Sequence, residues 1–165
     1  MRPVYSFVNE AGEYSPPSAM LDFRGKRSHF MSNTAPIEVV LAFMERINAA
    51  DVDGLCALMS EDHLFVDGLG NRLQGRVAMR KAWAGYFRMF PDYRVAHEEV
   101  FAQGNVVASF GTAEGTYAAG GKLPKENHWS VPAAWRAVVR DGLIAEWQVY
   151  ADNQAARKIM GLPNP

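Results

Sequence analysis

Cysteine is almost absent from this chain. Cys56 stands alone, so no internal disulfide can form and the fold must hold by burial. That usage fits a reducing, cytoplasmic compartment. Cys56 sits in the helical run Leu55, Cys56, Ala57, Leu58, Met59, where a buried, inert thiol is expected. Long apolar runs are missing too. None approaches the roughly 18 residues of a membrane span, and residues 1–30 are charged throughout, without the apolar centre of a signal peptide. No membrane partner is expected. Nor is there a basic excess: 17 Lys and Arg face 18 Asp and Glu, for a formal charge of −1. Nucleic-acid binding draws on a basic face that displaces counterions, so that role is disfavoured. Arg76, Arg80, Lys81 and Arg88 lie close together but read as a solvated helix face. Metal-ligand spacing is lacking as well. His97 and His128 fall on separate strands, no H-E-x-x-H pattern occurs, and His29 gets no role. No metal and no cofactor are expected.

What is present is a core. Hydrophobic residues make up 48% and aromatics 12% of 165 residues, enough for one domain and too many for a disordered chain. Residues 1–33 differ from the rest, with Ser15-Pro16-Pro17, a charged stretch at 22–27 and no sustained period. They read as a flexible extension. Met31 is an alternative start, and the rival reading is an arm docking on a partner subunit through Val4, Tyr5, Phe7 and Phe23. The domain proper spans 34–165. Thr34 is a candidate N-cap with Pro36 in the first turn, and Ile37, Val40, Leu41, Met44 and Ile47 recur at helical spacing. Asp51 or Asp53 caps a shorter second helix. His63–Gly68 reads as a short strand ending in a glycine turn, and Gly75 precedes a third helix stopped by Pro91. Four strands follow, over 93–102, 106–117, 129–139 and 143–151. Gly104-Asn105 and Asp141-Gly142 mark hairpin turns. Asp152 then caps a last short helix ended by Gly161 and Pro163. Consecutive strands on short turns pair with each other, and the predicted class is α+β: a curved antiparallel sheet with three helices in the N-terminal half.

The stretch Ile47–Leu55, followed by Ser60-Glu61-Asp62-His63-Leu64-Phe65-Val66-Asp67-Gly68-Leu69-Gly70, resembles the opening of the SnoaL-like and ketosteroid-isomerase-like families. So does Leu73-Gln74-Gly75-Arg76 leading into a helix. The closing Asp141–Tyr150 hairpin is similar to the last one of the same nuclear transport factor two-like superfamily. The resemblance covers about residues 34–161 and implies a cone with an internal apolar pocket, often a homodimer through the sheet. It speaks weakly on reaction, because this fold carries isomerases, cyclases, hydrolases and binders alike.

Asp67 is the first candidate for chemistry. Strand alternation puts His63, Phe65 and Asp67 on one face, and a carboxylate under apolar walls gains base strength. In the ketosteroid-isomerase-like pattern the proton-shuttling aspartate sits at this position. The competing role is a cap on the turn from Gly68 to Asn71. His63 is the second candidate, as a general acid or base. Four residues along a strand put it ~13 Å from Asp67, and a histidine facing water at the strand mouth is the alternative. The same resemblance removes two reactions. The tyrosine and second acid of the isomerase pattern fall on Phe43 and Ala133, which donate no hydrogen bond. The acid and the water-holding tyrosine of the epoxide-hydrolase pattern fall on Val149 and Phe65. In cyclase-like relatives an acid late in the fold can be catalytic, but Asp152, which follows the last strand, fits a helix cap better.

The pocket wall is expected from Phe43, Phe65, Trp83, Tyr86, Phe87, Trp129, Ala133, Trp135, Trp147 and Val149, with Ala133 leaving room between two tryptophans. Part of this set must be ordinary core. Two functions remain open: acid/base chemistry by Asp67 on a small apolar polyketide- or terpenoid-like compound, or a non-catalytic ligand-binding or homodimeric assembly module.

Overall fold

The computed structural model describes residues 34–118 and 120–163. The expected extension over 1–33 and the side chain of Thr34 lie outside these residues. The elements run α1 (Thr34–Asn48), α2 (Val52–Leu58), β1 (Met59–Val66), β2 (Arg72–Gln74), α3 (Arg76–Met89), β3 (Arg94–Gln103), β4 (Val106–Thr116), β5 (His128–Arg140), β6 (Leu143–Ala151) and α4 (Gln154–Ile159).

The first helix follows its apolar period: Val40, Phe43, Met44 and Ile47 are buried. At its end the Asn48 side chain treats β3 as a neighbouring strand. Its oxygen accepts from Val95 N–H at 2.8 Å, and its amide donates to Val95 C=O at 2.9 Å. Two donor–acceptor pairs thus fix α1 against the edge of the sheet. Ala50 turns the chain with φ of 51°, and Asp51 caps α2 by accepting from Gly54 N–H at 2.8 Å. Asp141 and Gly142, with φ of 51° and 73°, form the β5–β6 hairpin turn that their dipeptide predicts.

The strands form one sheet in the order β2-β1-β6-β5-β4-β3. β3 to β6 pair antiparallel with their neighbours, as expected. The sheet as a whole is mixed rather than antiparallel. β1 lies parallel to β6, with Phe65 opposite Trp147, and β2 folds back on β1 as a further strand that the sequence reading lacked. A parallel neighbour needs a long connection, and α3 with the whole β3–β5 meander supplies it. Three residues of β2, two of them exposed, carry too little alternation to read as a strand.

One sheet face is the core. Val107 and Ala137 pair across β4 and β5, and Trp135 with Val149 and Ala137 with Trp147 pair across β5 and β6. Helix α1 crosses β3 to β6, while α3 packs beside β1 and β2. Gly111 marks a tight point. It stands opposite His97 on β3 and Ala133 on β5, beside the place where the β3 register slips between His97 and Glu99. A Cβ there would lie 1.9 Å from the Ala96 carbonyl oxygen. Only glycine fits beneath that bulge.

Candidate functional site

Between α3, the end of α1 and the inner sheet face lies a cavity of about 170 Å³. Phe65, Ala113, Trp129, Trp147, Val149 and Ala151 form its sheet wall. Ile47, Met79, Ala82, Trp83 and Tyr86 form its helical wall, with Tyr93 just before β3. Asp67, Gly68 and Asn153 complete it where the ends of β1 and β6 meet. A Cβ on Gly68 would fall 2.8 Å from the Asn153 amide nitrogen and 3.0 Å from the Ala151 carbonyl, so these two chain ends touch only because residue 68 is glycine.

Six of the ten expected wall residues line this cavity: Phe65, Trp83, Tyr86, Trp129, Trp147 and Val149. Phe43, Phe87, Ala133 and Trp135 do not. Phe43 packs on Trp147 with ring centres 4.9 Å apart, and Trp135 stacks on the same indole at 6.5 Å. Phe87 stacks on Trp83 at 5.2 Å. Ala133 is buried and leaves no opening in the cavity wall. The hollow is accordingly small. It is close to the ~150 Å³ engineered cavity that admits benzene, and below the ~300 Å³ at which drug-sized pockets begin. Ile47 and Met79 were missed as lining because their periodicity marks only a buried helix face. Tyr93 was read simply as a strand start. Asn153 gave no signal beyond Asp152, whose carboxylate accepts from Gln154 N–H at 2.9 Å and holds the start of α4.

Asp67 both lines the cavity and caps the turn. Leu69 N–H and Asn71 N–H each donate to its Oδ1 at 2.9 Å, and the Asn71 side-chain amide donates to Oδ2 at 2.9 Å. A carboxylate offers about four lone-pair positions, so one on Oδ2 stays open. No lysine or arginine forms an ion pair with it among the described residues.

His63 is on the same strand face but fully buried, not at a wet strand mouth, and it does not line the cavity. Its Nδ1 lies 2.8 Å from the Ile144 carbonyl oxygen, which assigns the N–H to Nδ1 and leaves Nε2 an acceptor without a partner. Burial lowers its pKa below 6.5, against smaller opposing effects of the Ile144 carbonyl and Asp62. The unfolded chain therefore binds a proton that the fold rejects. Stability is full above pH 6.5 and falls as pH drops from there towards the lowered folded value, by at most about 1.4 kcal/mol per pH unit for one proton. His63→Phe is expected to flatten the slope of unfolding free energy between pH 6.5 and 5.5 in urea titrations. An unchanged slope would assign the acid sensitivity to other groups.

Tyr86 and Tyr93 meet edge to face at 4.9 Å. Burial holds both phenols well above the usual tyrosine pKa, with the other hydroxyl as a further influence on each. Both stay protonated donors at any physiological pH. No cluster of three or more His, Cys, Asp or Glu that would hold a metal occurs among the described residues, and no helix there is long and apolar enough to cross a membrane.

The fold has many solved counterparts. A proposed SnoaL-like polyketide cyclase from Jannaschia sp. CCS1 superimposes with a TM-score of 0.69 at 20% identity, over 84% of this chain and 100% of that one. A protein of ketosteroid isomerase-like fold from Catenulispora acidiphila, in complex with trimethylamine, gives 0.65 at 21% identity, over 78% and 98%. TerC co-crystallised with polyporic acid gives 0.64 at 22%, over 77% and 98%. No curated protein matches the chain by sequence. At these identities the superpositions speak for architecture alone, and it is the match of residues 40–147 to the SnoaL-like domain that places the chain in the SnoaL-like family.

Proposed function

We propose that the cavity takes up a small, mainly apolar compound, and that Asp67 exchanges a proton with it in an isomerisation, cyclisation or hydration–dehydration reaction. The observation that carries this reading is a carboxylate on the wall of an aromatic cavity with one lone-pair position unspent. The volume suits one ring, either a whole molecule or part of a larger polyketide- or terpenoid-like compound. Similar structures described as a proposed polyketide cyclase and as co-crystallised with polyporic acid support that substrate class. Proton transfer of this kind asks for no cofactor, and the lone, buried cysteine suits a cytoplasmic protein.

Cyclohexanone in D₂O tests the reading. The carboxylate removes an α-proton, the enolate forms, and a deuteron returns to carbon. Proton NMR is expected to show exchange above the buffer rate that saturates with ketone, and quenching of tryptophan fluorescence should report binding. Neither effect appearing would overturn the reading. Binding without exchange would establish the second one, a non-catalytic ligand carrier, which the three hydrogen bonds tying Asp67 into its turn favour.

We also propose a second copy of the chain as partner, seated on the outer sheet face. Phe110, Ala134 and Tyr150 form one row across β4, β5 and β6. Phe110 and Tyr150 are exposed, and so is Phe101, which lies 6.3 Å from Phe110. Phe110→Glu with Tyr150→Glu is expected to turn a dimer into a monomer in sedimentation equilibrium without lowering the melting temperature. A monomeric wild type at all concentrations would dispose of this partner.

A further inference from the structure

The wall of the cavity is built of ring faces. Trp83 stacks on Phe87 at 5.2 Å with 22° between the planes, and Trp147 stacks on Trp135 at 6.5 Å and 27°. Trp83 and Trp147 line the cavity, whereas Phe87 and Trp135 do not. A ring stacked from behind turns its other face forward, so both indoles present a face to the hollow. The Nε1 atoms of Trp83 and Trp129 are buried, so neither indole borders the opening with its N–H edge. Tyr86 stands at 89° to Trp83 and at 86° to Tyr93, and Tyr93 leans on Trp129 at 38°. Rings at right angles make corners, and these rings border a space of about 170 Å³ as the sides of a box.

Charge is as one-sided as shape. Asp67 brings the one formal charge among the lining residues, and it is negative. No lysine or arginine borders the cavity, and none forms an ion pair with Asp67 among the described residues. The face of an aromatic ring is the negative side of its quadrupole. Several such faces and a carboxylate therefore favour a cation in the hollow. A primary ammonium suits it poorly. That group carries three N–H donors and a tight hydration shell, and losing both in an aromatic cavity is costly. Methyl groups on the nitrogen remove the donors, spread the charge and pack on rings as hydrocarbon does.

We infer that the cavity is an aromatic cage for a quaternary, methylated ammonium group, whose methyls touch the ring faces while Asp67 at the end of β1 serves as counter-ion. The size agrees. A trimethylammonium group has fewer heavy atoms than benzene, which a cavity of ~150 Å³ already admits. Each ring face adds a cation–π attraction that a neutral group of the same shape does not receive. This inference rests on the cavity being the binding site and names the head group of the compound it takes. It does not depend on Asp67 moving a proton.

The test compares choline with 3,3-dimethyl-1-butanol, which has the same shape with carbon in place of the charged nitrogen. Titrations followed by NMR of the methyl signal are expected to show choline binding at least about tenfold more tightly. Asp67→Asn should narrow that preference by about fivefold. Its affinity for the neutral alcohol should not change, which also shows that the variant's cavity is intact. Biosynthetic replacement of the tryptophans by 5-fluorotryptophan draws electron density from the ring faces at nearly constant shape, and should likewise weaken choline and spare the alcohol. Equal affinities of wild type for the two compounds would overturn the inference, as would a preference that neither the asparagine nor the fluorinated rings diminish. Cyclohexanone exchanging deuterium in a protein without preference for choline would leave the proposed proton chemistry standing and remove the cage. A preference for choline without deuterium exchange would do the reverse.

Discussion

Asp67→Asn is expected to slow deuterium exchange into cyclohexanone by 10²-fold or more, the usual worth of a positioned acid/base, while the ketone still binds. The substitution is close to silent structurally. Oδ1 of an asparagine still accepts from Leu69 N–H and Asn71 N–H. The new amide would face the Asn71 amide donor, and rotation of Asn71 to present its oxygen restores that contact. Asp67→Ala differs: all three turn bonds go, and the protein should lose about 1–3 kcal/mol of stability in urea denaturation. The pair separates the two roles of this side chain. Asparagine exchanging at the wild-type rate would reduce Asp67 to a turn residue.

Gly111→Ala should be among the most damaging single-methyl additions in the chain, at about 3 kcal/mol of stability. The new carbon would stand 1.9 Å from the Ala96 carbonyl oxygen and 3.0 Å from His97 Cα, both backbone atoms that no rotamer change removes. Relief requires the β3 edge to move away from β4 and to carry with it Val95, which Asn48 of α1 holds by two hydrogen bonds. Gly115→Ala on the same strand is the control. Its neighbours lie at 3.5 Å or more, so a methyl group there meets ordinary contact and should change stability by less than about 1 kcal/mol. Equal effects at 111 and 115 would show that loss of glycine, rather than the bulge, sets the cost.

Much of the fold was legible because local patterns and tertiary needs agree. The stripe Val40, Met44, Ile47 had to be buried by something, and the dipeptide Asp141-Gly142 demanded a hairpin wherever its strands went. The site was less legible. Alternation set Asp67 on the face of Phe65, and both line the cavity, but alternation says nothing about where the carboxylate's lone pairs are spent. His63 shows the same limit: its face was readable, while its burial against the Ile144 carbonyl follows from β6 arriving beside β1.

By itself the sequence determined the class, the order of the helices and of every strand but β2, and the four-strand meander, each written in spacing between residues close along the chain. The family entered through resemblance to known motifs, and the match of residues 40–147 bears it out. Only the tertiary structure decided that β1 runs parallel to β6, and that Phe43 and Trp135 fill space while Ile47 and Tyr93 border it. It also brought Tyr86 and Tyr93 edge to face on the cavity wall. Those outcomes depend on which surfaces meet after distant segments pack, and an apolar side chain has the same period whether it faces another ring or an opening.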